Sequence, residues 1–371
     1  MFYLWGKNSL SVKMYHLLTG KEQENTCFIE TNPQKAQTVF ENSSCVLPDQ
    51  IRVADVEKIL IPTYGSMLEK NILKAVRERG IGYGKIWIMD YDSFAAELRS
   101  CGSLAAFMDR KTIPFLHFLE FEVTHHCNLK CKGCTHFAPL SEVKYGNLEE
   151  FIRDLTRVHE LIDHIGEIRL LGGEPLLNDE LYRFVEEARR IYPDSALSVV
   201  TNGIKLAGIS DRLKETMKRT QAQFSITLYP PVKTFVKNVA DELTKEGIPC
   251  IYGHDALSFT SQLRLEGDSN AERAELTCME AEFHTIEGGR ISKCSITMKM
   301  PVFKKHYGLD IDFPDDTLDL YDESLTAEKL FAFLSGPVGL CSYCGKGRSY
   351  PWEKAGANPP MEDWIGSGKY E

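Results

Sequence analysis

Residues 118–134 read FLEFEVTHHCNLKCKGC, an alternating apolar run followed by cysteines at 127, 131 and 134. Alternation of this kind is the pattern of a β-strand. The Cys-x3-Cys-x2-Cys spacing then sets three thiols on one tight loop at the end of that strand. Three thiolates so placed can hold three corners of a [4Fe-4S] cube and leave the fourth iron open to a small chelating ligand. With His125, His126 and His136 nearby, the same cysteines also suit a structural zinc ion. His125 and His126 are read as packing or hydrogen-bonding residues rather than ligands.

Two further stretches follow at strand ends. Residues 167–175 read EIRLLGGEP, an apolar strand closed by Gly172, Gly173, Glu174 and Pro175. The glycines allow a close backbone approach, and Glu174 offers an acceptor for a cationic group. Residues 197–203 read LSVVTNG, a strand ending in Thr201 and Asn202. In this order, the cysteine loop, GGEP and TNG resemble the radical SAM superfamily. The resemblance implies that S-adenosylmethionine binds the open iron. It implies that Gly172, Gly173, Glu174 and Pro175 receive the methionine amino group. Thr201, Asn202 and Ser225, the last from the strand QFSITLY, are then expected to help hold the cofactor. An external one-electron reductant of flavodoxin or ferredoxin type is implied as well. The loop departs from the family at Gly133, where an aromatic residue usually precedes the third cysteine to contact adenine. Phe137 is the loop's own candidate for that contact.

Composition bounds the remaining choices. The chain has 371 residues, 43% hydrophobic and 26% charged. This length exceeds one ordinary core and predicts two or three domains. A formal net charge of -10 argues against a surface that tracks nucleic-acid phosphates. No apolar run reaches the ~18–20 residues of a membrane span. The opening MFYLWGKNSL lacks the basic, apolar and small-residue order of a secretion signal, so a cytoplasmic location is expected. Eleven cysteines, an odd count, favour thiolate metal ligands over a disulfide framework. Cys27, Cys45, Cys101 and Cys250 are isolated and read as small apolar residues.

The predicted fold class is α/β: a partial (β/α)6 TIM-type barrel of radical SAM type at 113–270. A Rossmann-like α/β domain at 1–112 precedes it, and a cysteine-rich cluster domain at 271–371 follows. In the first part MFYLWG, TCFIETN, VEKILIPTY and KIWIMD read as strands. SVKMYHLLTG reads as a helix closed by Gly20, and MLEKNILKAVRERG as an amphipathic helix with Leu68, Ile72, Leu73 and Val76 on one side. Gly6 belongs to no G-x-G-x-x-G run, so a scaffold or docking role is expected there rather than dinucleotide binding. In the second part EIRLL, ALSVVT, QFSITLY and PCIYG alternate with helices, the first two capped by Asn147 and Asn178. His159 falls off the apolar stripe of the first and is expected in solvent. Such βα repeats predict a parallel sheet whose strand ends share one ligand-binding face.

Four more cysteines follow. Cys278 and Cys294 bracket FHTIEGGRIS, which reads as a hairpin turning at Gly288 and Gly289. Cys341 and Cys344 form a CxxC. Four thiolates can fully ligate a second [4Fe-4S] cluster or a structural zinc ion. The arrangement resembles the shortened auxiliary-cluster domain called twitch and the first half of the SPASM domain. Together these resemblances imply cleavage of S-adenosylmethionine to a 5′-deoxyadenosyl radical. Hydrogen abstraction and oxidation of a carbohydrate or other small molecule through the second cluster are then expected. Epimerisation, a peptide substrate, and a non-catalytic iron-sulfur or zinc regulatory protein are the alternatives. Tyr229, His254, Asp255 and Arg264, near strand ends, are candidate substrate bases.

Overall fold

The computed structural model describes residues 1–37, 43–62, 66–110 and 115–371, and only the backbone of residues 66–68 and 254. It forms two compact units, Met1–Phe115 with Thr326–Gly336, and Leu116–Leu325 with Pro337–Glu371.

In the first unit, strands β1 (Phe2–Trp5), β2 (Thr26–Ile29), β3 (Ser44–Val46), β4 (Lys58–Pro62) and β5 (Ile86–Met89) pair in the order β3-β2-β1-β4-β5. Every pairing is parallel. FYLW and TCFI are buried throughout, as unbroken apolar runs must be in a parallel sheet covered on both faces. The Rossmann-like reading holds. Gly20, however, opens the short helix Gly20–Glu24, because the preceding helix Ser9–Tyr15 already ends at His16. Strand β3 escaped the sequence reading because SCV is short and partly exposed. Thr63, Tyr64 and the side chain of Leu68 lie outside the described residues.

The second unit contains β6 (Phe115–Thr124), β7 (His164–Gly172), β8 (Ala196–Thr201), β9 (Gln223–Leu228) and β10 (Cys250–Asp255). It also contains β11 (Ser258–Leu263), β12 (Phe283–Glu287), β13 (Arg290–Ser292), β14 (Thr317–Asp319) and β15 (Cys344–Pro351). The large sheet runs β10-β9-β8-β7-β6-β12-β13-β14. From β7 to β10 the pairings are parallel, as is β12 with β6. This is the partial barrel of the sequence reading, with β12 added on the β6 side rather than beyond β10. Helices Leu148–Leu161 and Leu181–Ile191 bury one stripe each, Phe151, Leu155 and Val158 in the first, Phe184, Val185 and Ala188 in the second. Asn147 caps the first by accepting from Glu150 N at 3.1 Å. Asn178 does not cap the second. Its amide donates to Val123 O at 2.9 Å and ties the GGEP turn to β6. His159 is half-buried against the Tyr192 ring, 4.7 Å away, because the stripe is wider than its apolar residues alone suggest.

The hairpin turns at Gly288–Gly289 as the sequence indicates, with Glu287 facing Arg290. Because β12 extends the barrel sheet, residues 271–371 share a unit with the barrel, apart from Thr326–Gly336. After Cys294 comes the helix Ser295–Tyr307, which no sequence motif announced. Among the described residues no helix is long and apolar enough to cross a membrane.

Candidate active site

The ends of β6 and β7 are stitched together by backbone bonds, and the end of β8 joins them through the Glu174 side chain. Gly173 N donates to Thr124 O at 2.9 Å and Glu174 N to His126 O at 3.0 Å. The two glycines serve this contact. A Cβ on Gly172 would lie 1.9 Å from Thr124 O, and one on Gly173 2.0 Å from His126 O. The close approach inferred from GG is therefore made first to the cysteine loop's own backbone.

Glu174 is the tie between the strands. It has no exposed surface. One carboxylate oxygen accepts from Thr201 Oγ1 at 2.6 Å and Leu176 N at 3.1 Å, the other from Asn202 N at 2.9 Å. Burial pushes its pKa up to about 7 against those three donors. Pro175 is buried and opens the short turn Pro175–Leu177. Asn202 reaches back to the cysteine loop, donating to Asn128 Oδ1 at 2.8 Å and lying 3.7 Å from Cys127 Sγ. Thr201, Asn202, Gly172, Gly173, Glu174 and Pro175 are thus brought together beside the cysteines. Ser225 sits apart in β9, paired with Val200 and Ile251, on the face opposite the buried Phe224 and Ile226.

All eleven cysteines are free. Burial raises the Cys127 thiol, and pushes Cys131 up to about 11 and Cys134 up to about 12. N–H donors nevertheless face the sulfurs. Leu129 N lies 3.3 Å from Cys127 Sγ, and the Trp352 indole N–H 3.2 Å from Cys131 Sγ. Buried sulfurs met by donors suit thiolate ligands of a cluster, whose binding releases the thiol protons. Among the described residues no three His, Cys, Asp or Glu side chains approach closely enough to share a single metal ion.

A buried ionic group brackets the loop. Glu122 on β6 receives Lys299 Nζ at 2.7 Å and His136 Nδ1 at 2.8 Å. Lys299 also meets Glu287 at 2.5 Å and His125 Nδ1 at 3.0 Å. Burial opposes the charge of Glu122, but Lys299 and His136 outweigh it and hold its pKa down to about 2. His126 stacks edge-on with Tyr145 at 5.1 Å. His125 and His136 thus belong to the ionic group, and His126 packs on Tyr145.

The departure at Gly133 has a structural counterpart. A Cβ there would stand 1.9 Å from Tyr350 Oη, and the residue has φ +65°. Tyr350, from β15, fills the space. Phe137 is buried against Phe303 and Trp364, so its ring is committed to the core and gives no contact outside it.

The four later cysteines converge. Cys278, Cys294, Cys341 and Cys344 line one small cavity with Gln262, Glu280, Lys293, Thr297 and Leu340. Burial and the three neighbouring thiols push Cys344 well above its ordinary value, and burial takes Cys341 to about 11. Lys293, fully buried beside the cavity, pairs with Glu275 at 3.2 Å. Cys294 precedes the helix Ser295–Tyr307, and its sulfur lies 3.3 Å from Thr297 Oγ1.

The candidate bases are mostly occupied. Asp255 pairs with Lys233, and Arg264 with Glu266 and Asp268. The His254 side chain lies outside the described residues. Tyr229 is buried beside the cysteine loop, close to Cys131. Sequence reasoning missed Trp352 and Lys299 altogether. The missing aromatic at 133 was the one signal that a distant ring must pack there.

Residues 121–251 match the family model described as the radical SAM superfamily. Among curated proteins, the chain is 34% identical over 132 residues to a GTP 3′,8-cyclase of Sulfurimonas denitrificans, covering 33% of this chain and 41% of that protein. It is 31% identical over 138 residues to the GTP 3′,8-cyclase of Campylobacter jejuni subsp. doylei, covering 36% and 42%. The chain thus spans about two-fifths of the length of these relatives. Among solved structures, BtrN in complex with AdoMet and 2-DOIA is 17% identical with a TM-score of 0.39, covering 68% of this chain and 100% of that one. Streptococcus suis SuiB bound to S-adenosylmethionine is 14% identical with a TM-score of 0.30, covering 51% and 40%.

Proposed function

The chain carries a radical SAM domain over residues 121–251, and from that premise we propose that this enzyme joins hydrogen abstraction to the net oxidation of a small molecule. Cys127, Cys131 and Cys134 hold the first [4Fe-4S] cluster. Held there, the cluster together with S-adenosylmethionine would supply the one-electron reductive chemistry that yields a 5′-deoxyadenosyl radical. The turn Gly172–Pro175 with Thr201 and Asn202 frames the cofactor, and Glu174 holds those strand ends in register. Cys278, Cys294, Cys341 and Cys344 hold a second cluster, which supplies a one-electron acceptor. Four thiolates leave none of its irons free for substrate, so electron transfer suits it better than substrate binding.

The observation that carries this reading is the meeting of four cysteines, from three separate segments, around one cavity. In functional terms residues 1–112 form a scaffold, 113–270 the radical-generating barrel and 271–371 the acceptor region. A flavodoxin- or ferredoxin-type protein delivers the electron. The overall balance is a substrate that loses two hydrogens, one as an atom to the 5′-deoxyadenosyl radical, which becomes 5′-deoxyadenosine, the other as a proton with its electron passed to the acceptor.

The curated relatives favour a second reading. Their identity across the core is about one third, and they are GTP 3′,8-cyclases, which makes a purine nucleotide the rival substrate class. One experiment separates the two. The reconstituted enzyme is reduced anaerobically with S-adenosylmethionine and offered GTP or a panel of cyclitols and sugars. A product two mass units lighter than its sugar or cyclitol, with matching 5′-deoxyadenosine, supports oxidation. Consumption of GTP, with the panel untouched, selects the nucleotide reading.

A further inference from the structure

The chain that leaves β15 runs along the three-cysteine loop. Strand β15 is held antiparallel to β11, with Ser258 opposite Pro351 and Phe259 opposite Tyr350. Beyond it, Trp352 N donates to Leu257 O at 2.9 Å, Lys132 N to Glu353 O at 3.0 Å and Ala355 N to Lys130 O at 2.8 Å. Backbone bonds therefore fix the chain on both sides of Trp352, and a group set on such a frame is held in register. From that frame the half-buried indole directs its N–H at Cys131 Sγ, 3.2 Å away. Its ring lies 5.9 Å from that of Tyr229.

A hydrogen bond to a ligating sulfur stabilises the more negative, reduced state of an iron-sulfur cluster and raises its potential. We propose that Trp352 sets the reduction potential of the cluster held by Cys127, Cys131 and Cys134 by donating its indole N–H to the Cys131 sulfur. The proposal rests on the cluster assignment made above and adds a tuning residue to it. The donor directly follows the strand that begins at Cys344, so the cysteine of one site and the donor to the other lie on one short run of chain. Nothing in the sequence PWEKAG marks the tryptophan for this position.

The test compares the reconstituted wild type with Trp352→Phe, which keeps a ring and removes the donor. Redox titration follows the electron-paramagnetic signal that changes when S-adenosylmethionine is added, since that response identifies the first cluster. The midpoint should fall in the variant by about 30–60 mV, a three- to tenfold change in the reduced fraction at fixed potential for a one-electron couple. The signal that ignores S-adenosylmethionine should stay in place. An unmoved midpoint with iron content unchanged overturns the proposal. Should Trp352→Phe fail to assemble, wild type labelled with 15N-indole gives the answer. Nitrogen hyperfine coupling in the reduced cluster that survives Trp364→Phe supports the contact, and its absence overturns it. A wild type with no S-adenosylmethionine-responsive signal would instead defeat the underlying cluster assignment, and this proposal with it.

Discussion

Glu120 shows how burial, the largest influence on its carboxyl, can write a pH dependence into the barrel. It lies on β6 with Arg169 3.5 Å away and almost no exposed surface. Burial pushes its pKa up to about 7, against the pull of His136 and Arg169. A carboxyl with a raised folded pKa binds more protons folded than unfolded, so its contribution falls as pH rises from the unfolded value near 4.5 to about 7. Glu120→Gln should therefore gain on wild type across that window, by an amount on the order of 3 kcal/mol at its upper end. Thermal unfolding of the metal-free protein at several pH values would show it, and parallel curves for the two proteins would count against it. Glu174 carries the other lesson of single residues. Its charge and its place after two glycines were legible. That its oxygens are also spent on Thr201 and Asn202 was not, because those partners lie at the end of a strand more than twenty residues away.

At the scale of elements, the strands and helices that follow a period were readable, and the contacts they make were not. EIRLL, ALSVVT and QFSITLY each became the strand expected. The attachment of β12 to β6 is a pairing between segments remote in sequence, which no local pattern specifies. The helix Ser295–Tyr307 has little amphipathic signal and contains Pro301, so its role in presenting Lys299 was hidden. Lys299→Met should cost about 3–5 kcal/mol, because it leaves Glu122 buried without its main cation. Denaturant unfolding would measure it, and a loss below about 1 kcal/mol would mean that His136 alone sustains that charge. Gly133→Ala should cost about 1–3 kcal/mol through its positive φ and the collision with Tyr350. Adding Tyr350→Ala should recover the steric part. If the double variant were no more stable than Gly133→Ala, Tyr350 would not be what fills that space.

For the whole molecule, sequence order and spacing located seven sulfurs, and the fold sorts them into two sites by different means. Three share one loop, so their meeting was legible from spacing alone. Four meet only because the hairpin, the helix after Cys294 and the start of β15 fold around one cavity. The central claim is that these are two separate iron-sulfur sites, the first of which generates the radical. The most direct measurement is iron content together with 5′-deoxyadenosine release, under anaerobic reducing conditions, in three proteins. Wild type should hold ~8 irons and release 5′-deoxyadenosine. Replacing Cys127, Cys131 and Cys134 with alanine should leave ~4 irons and no release, whereas replacing Cys278, Cys294, Cys341 and Cys344 should leave ~4 irons with release uncoupled from product. Iron that stays near ~8 without the first three cysteines, or zinc in place of iron at the four, would contradict the account.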